Sequence, residues 1–114
     1  MIENQLRDQF VQAAAFAVPH ARLFVRQIIN VETKAGWRAR AGIRGQADIY
    51  AIVKGGKHIE IECKAAKYKW YKEQLAWRSW CEANGIPYLV LQVEPKEAPA
   101  DTLTRWLDLL RAVA

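Results

Sequence analysis

The stretch ADIYAIVKGGKHIEIECKA, residues 47–65, constrains this chain more than any other. Two runs rich in Ile, Val and Tyr flank Lys54-Gly55-Gly56-Lys57, and a Gly-Gly pair readily supplies the positive φ angles of a tight hairpin. Successive strand side chains point to opposite faces. Ile49, Ala51 and Val53 therefore share one face of the first strand, and Ile59, Ile61 and Cys63 one face of the second, both suited to a core. The opposite face begins with Asp48 on the first strand and carries His58, Glu60, Glu62 and Lys64 on the second. Of these, His58 and Glu60 lie nearest the turn and are expected to face solvent.

The flanking segments supply cover for that hairpin. Residues 2–17 place Ile2, Leu6, Phe10, Ala13, Ala14 and Ala17 at helical spacing, with Pro19 as the stop. On this helix Glu3 leans toward the apolar side, whereas Asp8 points away from it. RLFVRQIINVE, residues 22–32, reads as a strand, and TKAGWRARAGIRGQ as a Gly- and Arg-rich connection of hairpin or loop character. After Lys64 and a short basic connection, KWYKEQLAWRSWCEAN reads as a helix with Gln74, Trp77 and Cys81 in an inward line and Gly85 as its stop. PYLVLQV is a buried strand, and Asp101 is a candidate cap for a last helix burying Leu103, Trp106, Leu107 and Leu110. The order α-β-β-β-α-β-α predicts an α/β fold. Its mixed sheet of about four strands is flanked by helices, the last strand returning parallel to its neighbour through a helical crossover.

At 114 residues there is room for one core and not two, so residues 1–114 are read as a single domain. With 52% hydrophobic and 25% charged residues the chain falls outside the disordered class. No apolar run approaches the roughly 18–20 residues of a membrane span, and the charged N-terminus lacks a signal-peptide core. The expectation is a soluble, cytoplasmic protein with no membrane partner. Cys63 and Cys81 form no metal spacing and are expected to be buried free thiols. The net charge of +5 points to a polyanionic partner, and its distribution sharpens the point. Residues 34–73 hold ten of the 17 Lys and Arg residues against four acids.

That same basic region contains the alternating carboxylates. Residues two apart on a strand project to one side about 6.6 Å apart, so Glu62 and Lys64 reach one small volume. With Asp48 alongside on the paired strand, two carboxylates, the carbonyl of Cys63 and an ammonium converge. Such hard oxygen ligands suit Mg²⁺ or Mn²⁺, which is held by one or two carboxylates plus waters and substrate phosphate oxygens. Zinc does not fit, because His20 and His58 have no partner at ligand spacing. The chemistry available to the set is attack of a metal-activated water on a phosphodiester, with Lys64 orienting the water or steadying the transition state.

In these residues the chain resembles the PD-(D/E)XK nucleases and, within them, the VRR-NUC (virus-type replication-repair nuclease) domains. Gly45-Gln46-Ala47-Asp48 resembles the Gly-x-Pro-Asp motif, Glu62-Cys63-Lys64 the Glu-x-Lys motif, and Gln74 with Trp77 the Gln and following aromatic of the next helix. Glu3 resembles the acidic residue of the first helix, and the likeness runs from about residue 3 to residue 93. Ala47 departs from the motif by replacing its proline, which is not a ligand. The resemblance implies a restriction-endonuclease-like fold and metal-dependent DNA cleavage. In that reading Asp48, Glu62 and the carbonyl of Cys63 are ligands of Mg²⁺ or Mn²⁺. Lys64 is the catalytic lysine, Gln74 a supporting residue, and Glu3 a holder of a metal-bound water or a second ion. Stand-alone domains of this type resemble dimeric junction-resolving nucleases of phages and bacteria, so a homodimer acting on branched DNA is expected.

Several residues keep two readings. Glu60 is solvent-facing or reaches a second metal. Trp37, among Arg38, Arg40 and Arg44, stacks on an unpaired base while the arginines hold phosphates, or else anchors its loop on the core. Lys67, Lys69 and Lys72 are expected at backbone phosphates. Trp77, Trp80 and Trp106 are expected in the core. The alternative to an enzyme is a DNA-binding accessory module whose nuclease site is inactive.

Overall fold

Alternation and helical periodicity sort the chain into two helices on one side of a sheet and one on the other. The computed structural model describes residues 2–26, 30–32, 38–40 and 45–114. Helix α1 (Ile2–Ala17) leads into β1 (Ala21–Val25), followed by β2 (Asn30–Glu32) and β3 (Arg38–Arg40). The central hairpin is β4 (Ile49–Val53) and β5 (Lys57–Lys64), after which come α2 (Lys72–Ala83), β6 (Tyr88–Gln92) and α3 (Pro99–Val113). The four-stranded sheet has the order β1-β4-β5-β6. Its first three strands are antiparallel and β6 runs parallel to β5, as expected for a strand that returns through a helix.

The expected strand over 22–32 is two strands. β1 pairs with β4 through Val25↔Ile49, and Arg26 extends that pairing by donating its N–H to the carbonyl of Asp48 at 2.8 Å. β2 pairs instead with β3 in a separate two-stranded sheet, giving the Arg-rich connection its hairpin. Two helix starts also differ from expectation. The α2 helix begins at Lys72 rather than Lys69, because the side-chain oxygen of Gln74 reaches back to cap the N–H of Tyr71 at 3.0 Å. The α3 helix begins at Pro99, whose missing N–H costs nothing in a first turn, and Asp101 sits inside that turn rather than before it.

The core lies between the sheet and the pair α1 and α3. Leu6, Phe10 and Ala14 of α1 and Trp106 and Leu110 of α3 close on Ile49, Ala51, Ile59, Ile61, Cys63 and Leu91. Phe10 and Trp106 meet edge to face at 6.0 Å. Asp8 is exposed, as its place on the wheel requires. The indole N–H of Trp106 and the guanidinium of Arg105 both donate to the carbonyl of Gln92, fastening α3 to the end of β6. Along β6 only Leu91 is fully buried, since this strand is an edge and not an interior strand. Among the described residues no helix is long and apolar enough to cross a membrane.

Candidate active site

The face of the sheet opposite the core is covered in part by α2, whose Trp77 bonds Glu60, and the polar positions of β5 point to that side. β4 and β5 pair as Ile49↔Ile61, so the next positions outward, Asp48 and Glu62, lie opposite one another. The carboxylate of Asp48 accepts the backbone N–H of Cys63 at 3.0 Å, which fixes it against β5 just past the last strand pair. In a strand the N–H and C=O of one residue leave on the same side. The Cys63 carbonyl therefore emerges on the side where Asp48 lies.

Glu62 and Lys64 are both buried, at 3% and 1% exposure. The Lys64 ammonium lies 3.7 Å from Glu62 Oε1, at ion-pair distance but beyond a hydrogen bond. It rests instead on two rings, 3.4 Å from the centroid of Tyr68 and 4.3 Å from that of Trp70. Cation–π attraction offsets part of the cost of removing an ammonium from water, and it does so without occupying the N–H donors. Among the described residues Lys64 Nζ has no hydrogen-bond partner. A buried cation with donors left over favours a site that receives an anion.

Gln74 joins this wall from α2. Its side-chain oxygen accepts from the Tyr68 hydroxyl at 2.9 Å and from the Tyr71 N–H, leaving its amide NH₂ as the end with donors to offer. The ring of Tyr68 is thus positioned by the helix and in turn positions Lys64. Tyr88 of β6 lies on the same face, with a buried hydroxyl that has no hydrogen-bond partner among the described residues. Burial first, and then the charge of Glu62, push this phenol well above its usual pKa, so it stays a neutral hydroxyl.

Glu60 overturns the expectation of a solvated hairpin end. It is 0% exposed, and three side chains bond it. Arg26 grips it with two parallel hydrogen bonds of 2.5 and 2.8 Å, the Trp77 indole donates at 2.8 Å, and the His58 ring bonds the second oxygen. Burial raises the pKa of Glu60, but the bonds from Arg26, His58 and Trp77 together outweigh it and hold the carboxyl below the ordinary range. With both oxygens engaged, Glu60 is a clamp between β1, β5 and α2. His58 is only half-buried, but it too is tied into the clamp.

The inward line of α2 holds, with Cys81 fully buried and Gln74 and Trp77 half-buried. Neither Trp77 nor Trp80 joins the core: Trp77 is half-buried on the other face of the sheet, against Glu60, and Trp80 is 51% exposed and stacks on Trp77 at 5.3 Å, because α2 buries a single line of residues and Trp80 falls outside it. Cys63 and Cys81 are buried and form no disulfide, and burial, with the charge of Glu60 next, pushes Cys81 up to about 11. Lys67, Lys69 and Lys72 are exposed around the connection from Lys64 to α2. The side chains of Glu3, Arg38 and Arg40, and Trp37 and Arg44 entirely, lie outside the described residues. Residue reasoning missed Arg26, Tyr68, Trp70 and Tyr88. The one available signal was the spacing Lys64-x₃-Tyr68-x-Trp70, which returns aromatics to the lysine directly after the strand ends.

Among the described residues no three His, Cys, Asp or Glu side chains gather closely enough to hold a metal ion by themselves. The carboxylates of Asp48 and Glu62 and the Cys63 carbonyl are nevertheless oxygen donors of the kind Mg²⁺ or Mn²⁺ takes from a protein. Compared with protein families, with curated proteins and with solved structures, the chain matches none.

Proposed function

We propose that this chain is a Mg²⁺- or Mn²⁺-dependent DNA endonuclease of the VRR-NUC type with a restriction-endonuclease-like core, acting on branched DNA such as four-way junctions, as a homodimer. One observation carries the reading: Asp48 faces Glu62 across the hairpin, and the buried Lys64 ammonium, with no hydrogen-bond partner among the described residues, stands 3.7 Å from Glu62. Asp48, Glu62 and the Cys63 carbonyl are the groups that would hold the metal, and Glu3 on α1 is the remaining acid of the motif. When bound, the metal lowers the pKa of a water and screens the phosphate's charge.

The protein's own residues do the rest. Tyr68 and Trp70 hold Lys64 in place while leaving its N–H donors for a phosphate oxygen or the attacking water. Because the site is largely closed to solvent, the attraction between ammonium and phosphate is stronger there than in water. The NH₂ of Gln74, whose oxygen is held by Tyr68 and Tyr71, would supply a second donor beside Lys64. Exposed Lys67, Lys69 and Lys72, together with Arg38, Arg40, Arg44 and Trp37, belong to the basic segment that would follow the DNA backbone.

Labelled linear, flap and four-way DNAs incubated with and without Mn²⁺ test the reading directly. Cutting is expected only with metal and fastest on branched DNA, and Asp48→Asn and Lys64→Ala are each expected to slow it by about 100-fold or more. Either variant cutting at the parent rate would overturn the site assignment. Salt-sensitive binding with no cutting would instead make the chain an accessory module.

A further inference from the structure

The sheet face that carries Asp48, Glu62 and Lys64 also carries a column of stacked rings that the cleavage chemistry does not use. Phe24 of β1 stacks on Tyr50 of β4 at 5.0 Å and 18°, and Tyr50 stacks on His58 of β5 at 5.5 Å and 4°. Core packing does not require this arrangement, since Phe24 is 44% exposed. The column is nevertheless held firmly. The His58 ring is tied to Glu60, and the Arg26 guanidinium lies over Tyr50 at 4.8 Å. It ends at Phe24 on β1, the edge strand, so among the described residues no further strand of this sheet covers the outer side of that ring.

Charge complements the rings. Arg22 stands on the same face two residues before Phe24 and is exposed, its Nη1 donating to the carbonyls of Pro19 and Ala21 at 2.8 and 2.9 Å. Those bonds fix the guanidinium at the strand's start through Nη1, with no further bond to it among the described residues. Parallel rings that end openly beside a fixed cation match a planar heteroaromatic group carrying a phosphate. We infer that Phe24 and Tyr50 form a stacking platform for an unpaired nucleobase, which lies on the outer side of Phe24 while Arg22 meets the adjoining phosphate. Tyr50 is the next residue after Asp48 on the same face, about 6.6 Å along the strand, so one DNA segment reaches both the platform and Lys64.

The platform deepens the DNA-nuclease reading and rests on it for its natural ligand. It gives a reason for preferring branched DNA, because bases inside a duplex have both faces covered by their neighbours. Its test is kept apart from cleavage by working in EDTA at low salt. Fluorescence anisotropy would compare labelled oligo-dT with an equally long oligodeoxynucleotide made wholly of abasic sites, which keeps the phosphates and lacks the bases. Phe24→Leu is expected to weaken oligo-dT binding by about 5- to 150-fold, to change abasic binding by less than about twofold, and Phe24→Trp to restore affinity. Unchanged oligo-dT binding in Phe24→Leu, or equal losses on both oligomers, would overturn the platform. So would sedimentation showing that Phe24→Leu only separates a dimer into monomers, since the edge would then face a second copy of the chain. Failure of the nuclease reading appears elsewhere, as absence of Mn²⁺-dependent cutting by the parent protein.

Discussion

Glu60 shows how much one side chain can decide. Its carboxylate is buried, and Arg26, Trp77 and His58 neutralise or bond both oxygens. Removing one partner of a buried pair leaves the other charge uncompensated, so Arg26→Ala is expected to cost about 3–5 kcal/mol in urea unfolding near neutral pH. The pH dependence has a definite sign. The carboxyl is held below its ordinary value of 4.5 in the folded protein, so its stabilisation is present above about pH 4.5 and is lost as pH falls through the lower folded value. The Arg26→Ala variant should lose much of this acid-dependent component, and urea titrations at several pH values would show it. Alternation assigned Glu60 to the correct face but could not say what covers that face. Arg26 lies 34 residues away in the chain and reaches Glu60 only after β1 joins the sheet.

Among the elements, the hairpin was legible because Gly55-Gly56 and strict alternation agree, and its inward positions are buried as that pattern requires. The α2 helix was less so, since its start depends on a side-chain bond from Gln74 rather than on a residue pattern. Gly45 marks where helix and hairpin meet. It has φ +84, and a Cβ there would lie 2.2 Å from the backbone oxygen of Glu73 in the first turn of α2. Gly55 has a similar φ of +88 with nothing within 4 Å of a Cβ. Gly55→Ala therefore carries only the backbone strain of about 1–2 kcal/mol, whereas Gly45→Ala carries the strain and a collision with backbone. Thermal unfolding should show a clearly larger drop for Gly45→Ala, and equal drops would mean the contact with α2 is not tight.

At the scale of the whole molecule, topology followed from few rules: a tight hairpin is antiparallel, and a strand reached through a helix comes back parallel. The split between β1 and β2 was not legible, because RLFVRQIINVE has no Gly or Pro to mark a break, and its two described ends pair with different partners. Charge is a whole-molecule property too. Lys67, Lys69 and Lys72 are exposed around the exit from Lys64, and each is expected to neutralise one phosphate. Replacing any one of them with Ala should lower the slope of log affinity against log salt by about one for every DNA sequence tried. An unchanged slope would remove that lysine from the DNA path.

The contact at Gly45 also sets how the cleft can move. The loop that delivers Asp48 leans directly on the backbone of the turn that delivers Gln74, with no side chain between them to yield. That contact therefore acts as a one-way stop: backbone against backbone limits how closely α2 can approach the loop, while Asp48, bonded to the Cys63 N–H of β5, keeps its place on the sheet if α2 moves away.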